Sequence, residues 1–212
     1  MINNLIKIIS VGDLQANCIF LYNKNSDAVI VDPGAEYEKI FKEIKNLNLS
    51  VKAILLTHGH YDHVSAVSQI YSKLKCPVFI HRDDLQLYLY QKDMIYEYAK
   101  GNIFNNFSFY DNESKIKFSE LSYSIIHTPG HSPGSVCIEI LDNSKTLITG
   151  DTLFKDSIGR TDLPGGSTDA MFVSLKRLVA EYRDYTIIPG HGPVTKMERE
   201  ILKNPFLREV IN

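Results

Sequence analysis

The chain has 212 residues, 44% of them hydrophobic and 23% charged, which is ample for a substantial core and ordinary for a globular protein. A formal net charge of −2 excludes a general nucleic-acid or membrane-surface binder, and no apolar run approaches the length that spans a bilayer. The start, Met1-Ile2-Asn3-Asn4-Leu5, lacks the basic flank and long apolar stretch of a signal peptide, so a cytoplasmic location is expected.

Short apolar runs bounded by turn residues predict strands. In chain order they are Leu5–Ile9, Cys18–Tyr22, Ala28–Val31, Ala53–Leu56, Val78–Ile80, Tyr123–Ile126, Ser135–Leu141, Thr146–Ile148 and Thr186–Ile188. Between them, three-and-four spacing predicts helices over Tyr37, Ile40, Phe41, Ile44 and Leu47, from near Asp62 through Leu74, and around Met171, Leu175 and Leu178. Ser167 or Thr168 is the expected N-cap of the last of these. The alternation predicts an α/β fold with helices outside sheets, within a single domain over 1–212. Residues 82–118 are the least regular. They begin as a helix and run into Phe104, Phe107, Phe109 and Tyr110, which reads as packing under a long connection, with a pocket rim as the alternative.

The most informative stretch is Thr57-His58-Gly59-His60-Tyr61-Asp62-His63. It follows a buried strand, so His58 and His60 point one way, while Asp62 and His63 open the next helix. Adjacent helical residues diverge by about 100°, so His63 can serve a different ion from His58 and His60. Three later segments repeat one pattern, a β run and then a glycine turn carrying a ligand: Pro129-Gly130-His131, Thr149-Gly150-Asp151 and Pro189-Gly190-His191. One ion needs three or four protein ligands. Seven candidates divide as three, three and a bridge, and the two carboxylate oxygens of Asp151 suit the bridge. His81 and His127 read as structural. Cys18, Cys76 and Cys137 have apolar neighbours and no Cys-x-x-Cys spacing, so they read as buried free thiols.

His58-x-His60-x-Asp62-His63 followed by His131, Asp151 and His191 resembles the ligand pattern of the metallo-β-lactamase superfamily over nearly the whole chain. The resemblance implies an αββα sandwich of mixed sheets with the metals at one edge. It also implies one ion on His58, His60 and His131, a second on Asp62, His63 and His191, and Asp151 between them. Within the superfamily, Ser157-Ile158-Gly159-Arg160-Thr161-Asp162-Leu163-Pro164-Gly165-Gly166 is similar to the short single-domain subgroup of glyoxalase II-like hydrolases, as are Asn204-Pro205-Phe206-Leu207. Asp32, in Val31-Asp32-Pro33-Gly34, matches a family aspartate beside the metals, where it would orient a ligating imidazole. Arg160 and Asp162 would pair and shape their loop, or Arg160 would meet a substrate carboxylate.

The implied reaction is hydrolysis of a small-molecule thioester by a hydroxide shared between two divalent cations, with Asp62 and Asp151 as the catalytic carboxylates. Zinc is the first expectation, with iron or manganese as alternatives, because His/Asp sites accept several metals. No nucleic-acid or membrane partner is expected. True β-lactamases of this fold usually carry a cysteine at the second ion, so antibiotic hydrolysis is not expected. Full-length glyoxalase II grips glutathione with a C-terminal helical domain that is not expected here, so the resemblance carries the thioester chemistry without implying glutathione recognition. Competing readings are a mononuclear iron persulfide dioxygenase using His58, His131 and Asp151, a lactonase or phosphodiesterase, and a metal-stabilised binding protein without turnover.

Overall fold

Period-two alternation in the strands decides the layering. In β2 (Ala16–Tyr22), Cys18 and Phe20 join one apolar cluster while Ile19 and Leu21 join another, so both faces of the strand are covered. A computed structural model describes residues 4–211, and its first sheet has the order β1 (Leu5–Val11), β2, β3 (Asp27–Val31), β4 (Ser50–Leu55), β5 (Val78–His81) and β6 (Phe107–Tyr110). The first two pairings are antiparallel and the remaining three parallel.

The second sheet holds β7 (Glu113–Phe118), β8 (Leu121–His127), β9 (Val136–Ile140), β10 (Thr146–Gly150), β13 (Thr186–Pro189) and β14 (Thr195–Lys196), in the reverse of that spatial order. Only β10 and β13 pair in parallel. A separate hairpin joins β11 (Leu153–Phe154) to β12 (Ser157–Ile158).

The two sheets share a core in which Ile19, Val29 and Leu55 face Ile125, Ile138 and Ile148. On the outside of the first sheet lie α1 (Tyr37–Asn46), α2 (Tyr61–Val64), α3 (Val67–Leu74), α4 (Leu85–Tyr90) and α5 (Lys92–Tyr98). On the outside of the second lie α6 (Thr168–Glu181), α7 (Met197–Lys203) and α8 (Pro205–Ile211). The result is the expected αββα arrangement. Ser167 caps α6 by accepting from the Ala170 N–H. All three cysteines are free and buried. No described helix is long and apolar enough to cross a membrane.

Three local expectations change. The helix expected from Asp62 through Leu74 is broken at Ser65-Ala66, because the Ala66 N–H donates to the Pro33 carbonyl (3.0 Å) instead of back into its own turn. The Pro33-Gly34 backbone thus wedges against the first turn. A Cβ at Gly34 would overlap the Asp62 carbonyl, so only glycine fits. Gly34→Ala is expected to cost about 3 kcal/mol in urea unfolding, because backbone has to move on both sides. Phe107–Tyr110 and Glu113–Phe118 are strands rather than irregular connection. Phe104 and Phe107 pack edge-to-face with each other and with Tyr71 and Tyr88, respectively, so they belong to the core. The tail residues also form helices α7 and α8, which the apolar spacing did not bring out.

Candidate metal centre

Strand ends at one edge of the sandwich deliver the candidate side chains. The loop after β4 carries His58 and His60, and the four-residue α2 carries Asp62 and His63. The turns after β8, β10 and β13 carry His131, Asp151 and His191. Two backbone hydrogen bonds join the sheets here: the Val136 N–H donates to the Thr57 carbonyl (2.8 Å), and the Asn17 N–H donates to the Gly190 carbonyl (2.7 Å).

Nitrogen and oxygen atoms of His58, His60 and His131 lie within 4.8 Å of one another, and so do those of Asp62, His63 and His191. Asp151 stands between the two groups. Its Oδ1 is 3.5 Å from His63 Nε2, and its Oδ2 is 3.5 Å from His131 Nε2 and 3.6 Å from His191 Nε2. A Cβ at Gly190 would overlap Asp151 Oδ1, so glycine lets this turn close over the carboxylate.

Four of the five imidazoles, those of His58, His63, His131 and His191, are oriented through the other nitrogen. His63 Nδ1 meets Asp32 Oδ2 at 3.0 Å, His131 Nδ1 meets the Arg160 carbonyl at 2.8 Å, and His191 Nδ1 meets the Leu14 carbonyl at 2.9 Å. The Thr57 hydroxyl donates to Asp32 (2.6 Å), so the Nδ1–H of His58 donates to that hydroxyl at 3.0 Å. Asp32 therefore steadies His63 directly and His58 through Thr57. Asp32, His58 and His63 also cluster, but the Asp32 oxygens already accept from the Thr57 N–H, the Thr57 hydroxyl and His63.

The remaining atoms fit cations. His58 Nε2, His131 Nε2 and Asp151 Oδ1 are buried and have no hydrogen-bond partner, which is costly for a folded protein unless an ion is received there. Burial, then the neighbouring imidazoles, pushes His58 well below the ordinary histidine range; burial and His131 push His60 down to about 3. Both rings are thus neutral, the form that binds metal. In the other group, burial opposes charging of His63, but Asp62, Asp151 and Asp32 outweigh it and raise the ring to about 10. Burial likewise opposes, and Asp62 leads in raising, His191. Burial works against ionising Asp62, yet His63 and His191 hold its carboxyl well below the usual range. A cation entering this group takes the place of a proton.

Two further residues matter that sequence reasoning passed over. Asp84 is fully buried and accepts from the Gly59 N–H (2.7 Å), the Gly134 N–H (2.5 Å) and the Ser132 hydroxyl (2.7 Å), tying the His58–His60 loop to the His131 loop. Burial raises its pKa, against the pull of those bonds. Asn17 donates to the Pro189 and Gly192 carbonyls, both at 2.9 Å, and holds the His191 turn. The Arg82-Asp83-Asp84 turn after a strand was the only signal for Asp84.

His81 and His127 do not join the centre. Their rings stack at 4.3 Å and 9°, so their in-plane lone pairs cannot converge on one ion, although Asp83 lies near. Their Nε2 atoms meet Asn112 and the Pro133 carbonyl. Arg160 pairs with Asp162 through Nε (2.7 Å) and Nη2 (2.8 Å), and that bond holds Asp162 down at about 2. A cavity of about 470 Å³ opens onto His60, Asp62, His131, Asp151 and His191.

Residues 11–191 match the model of the metallo-beta-lactamase superfamily, and the chain belongs to that superfamily. It is 35% identical to the hydroxyacylglutathione hydrolase GloC of Haemophilus influenzae, over 95% of this chain and 97% of that one. Among solved structures it is similar to the BLEG-1 B3 metallo-beta-lactamase, with a TM-score of 0.86 and 34% identity over 96% of this chain and 99% of that one. It is also similar to TTHA1623 in a di-iron-bound form, with a TM-score of 0.81 and 35% identity over 95% of this chain and all of the other.

Proposed function

We propose that this metallo-hydrolase of the metallo-beta-lactamase superfamily cleaves thioesters at a two-cation centre. The observation that carries the reading is the pair of donor groups with Asp151 between them, its Oδ1 beside His63 and its Oδ2 beside both His131 and His191. His58, His60 and His131 would hold one cation, Asp62, His63 and His191 the other, and Asp151 both. Zinc suits the imidazole-rich first group, and the di-iron form of a relative supports iron as the alternative. Similarity over nearly the full length to a hydroxyacylglutathione hydrolase supports the thioester as substrate.

Bound divalent cations supply Lewis acidity, lowering the pKa of a water and polarising a carbonyl. Asp62, whose Oδ2 sits 3.2 Å from His191 Nε2, accepts a hydrogen bond from the attacking water and aims it at the thioester carbon. Asp32, Thr57 and the Arg160 carbonyl keep the imidazoles from turning during the reaction. The leaving thiolate belongs to a thiol of pKa about 8.5, so no side chain has to protonate it first.

The test strips the purified protein with a chelator, restores zinc, iron or manganese, and follows thiol release from thioesters alongside lactone hydrolysis and oxygen uptake with a persulfide. Thioester cleavage that vanishes with the metal and returns with it is expected. Oxygen consumption with persulfide and no thiol release would favour the dioxygenase. Metal removal is also expected to lower thermal stability, by about 2.7 kcal/mol relative to protein held at a hundredfold excess over the dissociation constant.

A further inference from the structure

Beside the catalytic cavity lies a second groove of about 530 Å³. Tyr90, at the end of α4, and Pro164, in the Gly159–Gly166 loop, line both. Tyr90 is 73% exposed, so it stands at the mouth of the cavity rather than sealing it. The groove continues outward over Leu87, Leu89 and Pro133. Its walls are predominantly apolar, and the one charged side chain among the described residues lining it is Asp83. In the catalytic cavity Leu14, Met94 and Leu163 add to the apolar lining of Tyr90 and Pro164. The one arginine or lysine among its described lining residues is Arg160, and Asp162 takes two of its nitrogens.

Such a surface rewards methylene groups and gives carboxylates little. An arm carrying negative charge would meet Asp83 in the groove and a guanidinium already engaged at the mouth. The thiols that carry acyl groups in cells are polar, so the half of a thioester able to supply methylenes is the acyl chain. Resting on the thioesterase reading above, we infer that the groove beyond Tyr90 and Pro164 is an acyl-chain subsite. The substrate class is then a thioester of an unbranched aliphatic acid, with no anionic group required in the thiol half.

The test uses the metal-loaded enzyme and N-acetylcysteamine thioesters from acetyl to octanoyl, whose thiol half is uncharged, against S-lactoylglutathione. kcat/KM is expected to rise about threefold per added methylene up to hexanoyl, in line with apolar burial per methylene. Leu89 is 43% exposed and lies outside the buried core clusters, so a substitution there is expected to leave the fold intact. Leu89→Asp is expected to lower the hexanoyl-to-acetyl ratio of kcat/KM about tenfold, whereas Leu89→Met keeps it. A flat chain-length series, with S-lactoylglutathione turned over faster than any aliphatic ester, would overturn the subsite and leave the thioesterase reading standing. Hydrolysis of no thioester at all would overturn both.

Discussion

Asp151→Ala is expected to lower kcat/KM by about three orders of magnitude while leaving the metal-free fold intact. Asp151 is the one side chain whose two oxygens face both groups of donors, at 3.5 Å from His63 and 3.5 Å from His131. If the proposed centre holds, removing Asp151 would take away the one anionic ligand placed to serve both cations. Metal bound per chain should fall together with activity. The fold should survive because His63, the ring that Asp151 helps to charge, keeps Asp62 and Asp32 as acidic partners. Asp151→Asn keeps the shape and one neutral oxygen donor, and should fall between the two. Measuring turnover, metal content and the urea midpoint on the same preparation separates the cases. Undiminished turnover in the alanine variant would remove Asp151 from its shared role.

Asp84→Ala is the second large effect, and it acts at a distance from the chemistry. Asp84 touches none of the seven candidate ligands, yet its oxygens receive backbone N–H groups from Gly59, between His58 and His60, and from Gly134, three residues after His131. Alanine would leave both N–H groups buried without an acceptor, at about 1–3 kcal/mol each. The Ser132 hydroxyl loses less, because Ser135 Oγ stands 2.7 Å away. The expected loss of stability is about 3 kcal/mol. The two loops would then separate, and a displacement of about 1 Å in such a centre costs about a hundredfold in rate. Zinc affinity in a chelator competition should drop about tenfold to a hundredfold, as for other residues that orient ligands. A variant less stable than wild type but with unaltered zinc affinity would reduce Asp84 to a structural role.

Much of the framework was readable because it obeys local rules. Unbroken apolar runs such as Cys18–Tyr22 and Ala53–Leu56 announce strands, and the spacing of Tyr37 to Leu47 announces a helix. The ligand candidates were readable because metal-binding residue types stand in short order after apolar runs. What escaped depends on partners far along the chain. Asp84 meets Gly134, and Asn17 meets Pro189 and Gly192, across separations that no local window spans. The break after α2 has the same origin, since Pro33-Gly34 takes the Ala66 N–H from outside the helix. Strand β7 was hidden because Lys115 and Lys117 interrupt its apolar residues at the sheet edge, where polar side chains face water. The aromatic segment after residue 100 reads as packing and does pack into the core, while Tyr90 and Met94, earlier in the same stretch, line the cavity.

The proposed centre requires two cations that share Asp151, and anomalous X-ray scattering from crystals of zinc- or iron-loaded protein tests this most directly. Two peaks are predicted on either side of Asp151, one against His58, His60 and His131 and the other against Asp62, His63 and His191. Peaks elsewhere, or imidazoles turned away from a single uncoordinated peak, would contradict it.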